Sequence, residues 1–168
     1  MSGLALTRAS FLPPLVLAAT AAVAGDVLHA VSPEGKTELL FQTSGGKVVQ
    51  VTVIQMKLDS SYPYRGASLW GGDVGEFPQT VLTSVQVEEN EKTILVPLSG
   101  YGDLGDVKAA SFKSSTSGFE LTLHGGNTSA SYDARLEFER GYLKSRTVRL
   151  REFPAERWDR TTYSFPQR

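Results

Sequence analysis

The chain contains no cysteine, and that absence narrows its chemistry at once. Without thiols there is no disulfide to staple it, no thiolate nucleophile and no zinc site built on sulfur. Lipid attachment at a cysteine near the N-terminus is excluded for the same reason. Histidine is almost as scarce, with His29 and His124 alone, so imidazole bases and ligands are in short supply. Helical patterning is missing too: no segment shows a convincing 3.6-residue apolar period. No repeat or low-complexity tract stands out, and no nucleotide-binding or metal motif rises above background. Charge of one sign is also lacking. The chain has 17 Lys and Arg against 18 Asp and Glu, a balance that gives no reason to expect nucleic acid.

What is present begins with an export signal. Arg8 and the amino terminus supply positive charge, and Phe11 to Ala24 form an apolar run of 14 residues. Ala22-Val23-Ala24 ahead of Gly25 fits the small-x-small pattern of a cleavage site. The run is too short to span a bilayer of about 30 Å. The expectation is a signal peptide over 1–24 and one domain over 25–168, secreted or periplasmic, with no transmembrane helix in the mature chain. The remaining 144 residues suffice for a core of their own. An exported domain without disulfides takes its stability from packing.

The rest of the pattern is β. Phe119, Leu121 and Leu123 alternate with polar residues, then Gly125-Gly126-Asn127 supplies a turn. Tyr132, Ala134, Leu136 and Phe138 alternate in the same way up to an Arg140-Gly141 turn, and a third strand runs from Tyr142 to about Arg151. Period-two alternation gives each strand one apolar and one wet face, and Gly and Asn suit the positive φ of tight hairpins. Further strands are expected over Asp26–Ser32, Leu39–Thr43, Val48–Leu58, Val81–Val87, Ile94–Leu98, Val107–Lys113 and Thr161–Phe165. In Val48–Leu58 the apolar residues change face, from Val49, Val51 and Val53 to Ile54, Met56 and Leu58. That change predicts a β-bulge or bend near Val53-Ile54, or else a strand buried on both faces. Eight to ten short strands with little helix imply an all-β, antiparallel β-sandwich, jelly-roll or Ig-like, with a closed up-and-down barrel as the alternative.

Function is expected to reside in loops. Asp59 to Gln79 loses all periodicity and holds Tyr62, Tyr64, Trp70 and Asp73 among glycines and prolines. A loop of this length inside a compact domain is usually functional or mobile. Tyr and Trp rings next to Gly suit stacking on sugars or packing against a protein, so this loop is the candidate recognition surface for a protein or glycan partner, the alternative being an Ω-loop whose aromatics fold back to cover an open end of the sandwich. Asp103 and Asp106 in Gly102-Asp103-Leu104-Gly105-Asp106 are a weak calcium candidate, because Asp-Gly pairs are also ordinary turn chemistry. No other cofactor is implied.

Catalysis has few parts to work with. His29 lies just past the signal and His124 at a hairpin end. Ser68 in Gly66-Ala67-Ser68-Leu69-Trp70 lacks the second glycine of a nucleophile elbow, so no serine triad is expected. A carboxylate-based glycosidase would draw on Asp73 and Glu76. Asn127-Thr128-Ser129 matches a glycosylation sequon at a position where a turn wants Asn anyway. Residues 135–168 hold nine basic and five acidic side chains, which reads as a solvated Arg-rich face or a site for an anionic partner. The functional expectation is a non-enzymatic, exported binding or envelope domain. The competing readings are a small secreted hydrolase and an outer-membrane barrel.

Overall fold

Alternating apolar and polar residues become ten strands in a computed structural model of the protein, which describes residues 27–59, 77–127, 131–153, 155 and 159–164. In chain order they are β1 His29–Ala30, β2 Gly35–Gln42, β3 Val48–Lys57, β4 Thr80–Glu89, β5 Lys92–Ile94, β6 Ala109–Ser114, β7 Gly118–Gly125, β8 Tyr132–Glu139, β9 Tyr142–Leu150 and β10 Asp159–Thr162. The only helical element among the described residues is one 3-10 turn at Leu98–Gly100. None of the described helices is long and apolar enough to cross a membrane.

The strands form two antiparallel sheets, one ordered β1-β6-β7-β8-β9-β10 and the other β2-β3-β4-β5. They remain separate sheets, so the closed-barrel alternative is not the architecture adopted, and an outer-membrane barrel requires that closure. The β-sandwich expectation holds, but not with the interleaved strand order of a jelly roll or an Ig domain. Consecutive strands instead stay in one sheet as meanders, because short turns leave each strand beside its predecessor. The β4–β5 and β8–β9 turns have only two residues each. Their central residues, Asn90-Glu91 and Arg140-Gly141, all have positive φ, as type I′ turns require.

Apolar residues on the facing sides of the sheets make one core, which runs from Val31 to Val148. A ladder of rings crosses it. His29 meets Phe41 edge-on at 5.0 Å, Phe41 stacks on Phe112 at 4.7 Å, Phe112 on Phe119 at 5.2 Å and Phe119 on Phe138 at 4.7 Å. The Phe41–Phe112 contact joins the two sheets.

The irregularity foreseen at Val53-Ile54 is present, but the neighbouring strand absorbs it. Ile54 pairs with Ser84 and Gln55 with Leu82, so Thr83 of β4 is the extra residue. β3 therefore keeps one face inward, through Val49, Val51, Val53 and then Gln55. Met56, expected to share a second apolar face, is 49% exposed. Gln55 tolerates burial because its amide is fully engaged. Nε2 donates to the carbonyls of Ser32 (2.7 Å) and Val107 (2.8 Å), and Oε1 accepts from the Val107 amide (3.1 Å) and the Thr80 hydroxyl (3.4 Å). It ties the four-stranded sheet to the segments leading into the other one. The first strand is also shorter than expected: β1 has two residues before Ser32 turns the chain.

Candidate functional site

Three turns converge at one end of the sandwich. The β2–β3, β6–β7 and β8–β9 turns meet there beside the end of β4, and they enclose a cleft of about 370 Å³. Thr43, Ser44, Ser115, Thr116 and Ser117 supply hydroxyls to its walls, Lys47, Glu89 and Arg140 supply charge, and Phe119 and Phe138 lie beneath. Ser44 is held across the end of the sandwich. Its amide donates to Ser114 Oγ at 2.8 Å, and the two hydroxyls lie 3.1 Å apart. Lys47 Nζ donates to Glu89 Oε2 at 3.1 Å. Gly118 admits the close approach of the next strand, since a Cβ there would collide with the Phe138 carbonyl. The volume lies within the range of small-ligand sites, and the lining is more polar than most. A wall of hydroxyls that both donate and accept suits a polyhydroxylated ligand.

The aromatic loop emerges at the opposite end. Tyr62, Tyr64, Trp70, Asp73 and Glu76 lie outside the described residues, but the stem of their loop is visible. The Leu58 amide donates to the Gln79 carbonyl at 2.8 Å. Asp106 then pins the stem. Its Oδ1 accepts from the amides of Gln79 and Thr80, both at 2.9 Å, and shares the single Thr80 hydroxyl proton, at 3.2 Å, with Gln55 Oε1. Asp103, the other weak calcium candidate, faces a different partner: both of its oxygens accept from Arg146 Nη2, at 2.7 and 2.6 Å. The two carboxylates therefore serve a loop stem and a guanidinium. Among the described residues no group of three His, Asp or Glu is placed to hold a metal ion.

Arg146 was not singled out by sequence reasoning. The bulge at Lys144 explains its position: Glu137 pairs with Ser145 but Phe138 pairs with Leu143, so β9 changes phase and Arg146 faces inward opposite Leu136. It is 2% exposed, and it also donates through Nη1 to Asp159 on β10. Its Nε has no hydrogen-bond partner.

A second unforeseen cluster lies on the outer face of the six-stranded sheet. Ser111 Oγ is 2.9 Å from His124 Nε2, and His124 Nδ1 is 2.7 Å from Asp133 Oδ1, which also accepts from Arg151 Nε at 2.7 Å. His124 sits directly opposite Asp133 and, on its other side, opposite Ala109, two residues from Ser111. Cross-strand register thus unites residues that sequence spacing left apart. Burial pushes the Asp133 carboxyl up, but hydrogen bonds and charge from His124 and then Arg151 outweigh it and hold the pKa below its ordinary value. The order of atoms is that of a nucleophilic triad. The setting is not. Ser111 is 6% exposed, and backbone amides of a strand lie in the sheet plane, at right angles to its side chains. Among the described residues, the strand amides around Ser111 do not converge above it as an oxyanion hole requires. The cluster is a polar brace joining β6, β7, β8 and the end of β9.

Comparison with protein-family models, curated proteins and solved structures finds no match to this chain.

Proposed function

We propose that the chain is an exported, non-enzymatic β-sandwich domain that binds a glycan in the cleft between its turns. The observation that carries this reading is the cleft itself. It is a cavity of ligand size whose walls are hydroxyl-bearing turns anchored on a packed aromatic floor. Rigid strands hold those turns, which is the usual arrangement of a loop-built binding site. A glycan array with the purified protein tests the reading. Binding is expected, with no cleavage of the bound sugar, and Thr116→Trp should abolish binding by filling the cleft while leaving the melting temperature unchanged. Binding that survives Thr116→Trp removes the cleft from the function.

A second reading places recognition on the 59–79 loop, and the pinning of its stem by Asp106 favours it, since binding residues are commonly carried on loops positioned by a rigid scaffold. Trp70→Ala decides between the ends: loss of binding in this variant, with Thr116→Trp unaffected, moves the site to the aromatic loop. The export proposal has its own check. Protein exported from its own N-terminus should begin near Gly25, and an intact Met1 on exported protein overturns that part.

A further inference from the structure

We infer that the cleft takes an anionic sugar, through the guanidinium of Arg140; the inference rests on the glycan reading above. Charge bookkeeping within the cleft is the first support. Lys47 and Glu89 neutralise each other across 3.1 Å, which leaves Arg140 as the remaining charged side chain of the lining. Its own acidic neighbour is Glu139, with Nε and Oε1 3.9 Å apart. That carboxylate lies far closer to Lys144, at 2.6 Å. Among the charged side chains of the lining, Lys47, Glu89 and Arg140, one positive charge is in excess. Arg140 bears it in solvent, 82% exposed.

Turn chemistry is the second support. Arg140 holds φ +53 as the first central residue of its type I′ turn. The β4–β5 turn, with the same pair of positive φ angles, has Asn90 at the matching position, the residue that such turns favour. Asn90 repays its place locally, accepting a hydrogen bond from the Val48 amide at 2.9 Å. An arginine gains nothing comparable from a left-handed backbone that L-residues avoid. The guanidinium fork matches carboxylate and sulfate oxygens two at a time. The Arg140 amide also donates to the Ser117 carbonyl at 3.3 Å, which keeps the cation beside the hydroxyls that would meet the sugar.

Titration calorimetry on the purified protein tests this with three probes: a galacturonic-acid disaccharide, a sulfated galactose disaccharide and the neutral galactose disaccharide. The expected result is binding of an anionic probe about tenfold tighter than the neutral one, one charge-assisted contact's worth. The preference should fade as salt approaches 1 M, where the Debye length is about 3 Å. Preference for the uronate or for the sulfate identifies which anion the fork accepts, and either supports the inference. Arg140→Asn suits the turn, so it should melt no lower than the parent and bind all three probes alike. Equal binding of acidic and neutral probes by the parent, or a preference that survives in Arg140→Asn, overturns the inference and leaves the glycan reading standing. Binding of none of the three, together with a blank glycan array, overturns both.

Discussion

Arg146 and its carboxylates differ in which member of the cluster has been taken out of water. The guanidinium is buried, whereas the side chains of Asp103 and Asp159 are 35% and 50% exposed. Removing Asp103 leaves a buried cation with one partner fewer, and breaking a buried pair in this way costs about 3–5 kcal/mol at the upper end. Removing the cation itself lets both acids return to solvent, and apolar replacement of a buried charge is often neutral or better. Arg146→Met should therefore be less destabilising than Asp103→Ala. Urea melts of the two variants check the order, and the reverse order would mean that the acids depend on Arg146 more than their exposure implies. Asp133 makes the second prediction at this scale. Its folded pKa lies below the unfolded value of about 3.9, so its contribution to stability is present above that pH and is lost as pH falls through the folded pKa. The gap in stability between the parent and Asp133→Asn should shrink as pH falls below about 4. A gap that persists at pH 2 would show that the brace is held by shape rather than charge.

Strand β8 shows how an element's pattern becomes its energetics. It pairs with β7 and β9 on its two sides, with Leu136 and Phe138 buried and Arg135 and Glu137 exposed. Phe138→Ala should cost about 3–5 kcal/mol, because transfer and cavity terms add. Arg135→Ala should stay within about 0.5 kcal/mol, its ion pair with Glu120 being 3.8 Å long and half-exposed. Denaturant melts in which Arg135 proves the costlier change would shift the register by one residue. This strand was legible in the sequence because its alternation is unbroken from Tyr132 to Glu139. The strands with bulges were harder to read. An extra residue in β4 left β3 in phase and drew Gln55 into the core, and Lys144 in β9 turned Arg146 inward. Polar residues at inward positions look like solvent positions until the partner strand's register is known. The Ser111–His124–Asp133 brace stayed hidden for the same reason, since its members meet only across strands. The cleft was beyond reach from sequence, since three hairpin turns from different parts of the chain build it, and each reads alone as ordinary Ser, Thr and Gly punctuation.

At the scale of the whole molecule, one question is whether the two sheets form one cooperative unit. Each is a meander of mostly local pairings, so each has the sequence economy of a separate module. Three features bind them together. The ring ladder passes from β2 to β6 through Phe41 and Phe112, and Gln55 of β3 bonds the backbone at Ser32 and Val107. β1 precedes the four-stranded sheet in the chain yet pairs with β6 of the other, His29 opposite Ala110. That pairing closes a loop around the whole four-stranded sheet, so the six-stranded sheet cannot complete itself until the intervening strands are in place. Contacts this distant in sequence slow folding to the ms–s range typical of β-sandwiches. They also predict a single unfolding transition. Far-UV circular dichroism and tyrosine fluorescence should report the same midpoint in urea, and Gln55→Leu should lower it for both probes together, because loss of the amide leaves the Val107 backbone groups short of their buried partners. Two separated midpoints, or a Gln55→Leu shift confined to one probe, would show that the sheets unfold as independent halves.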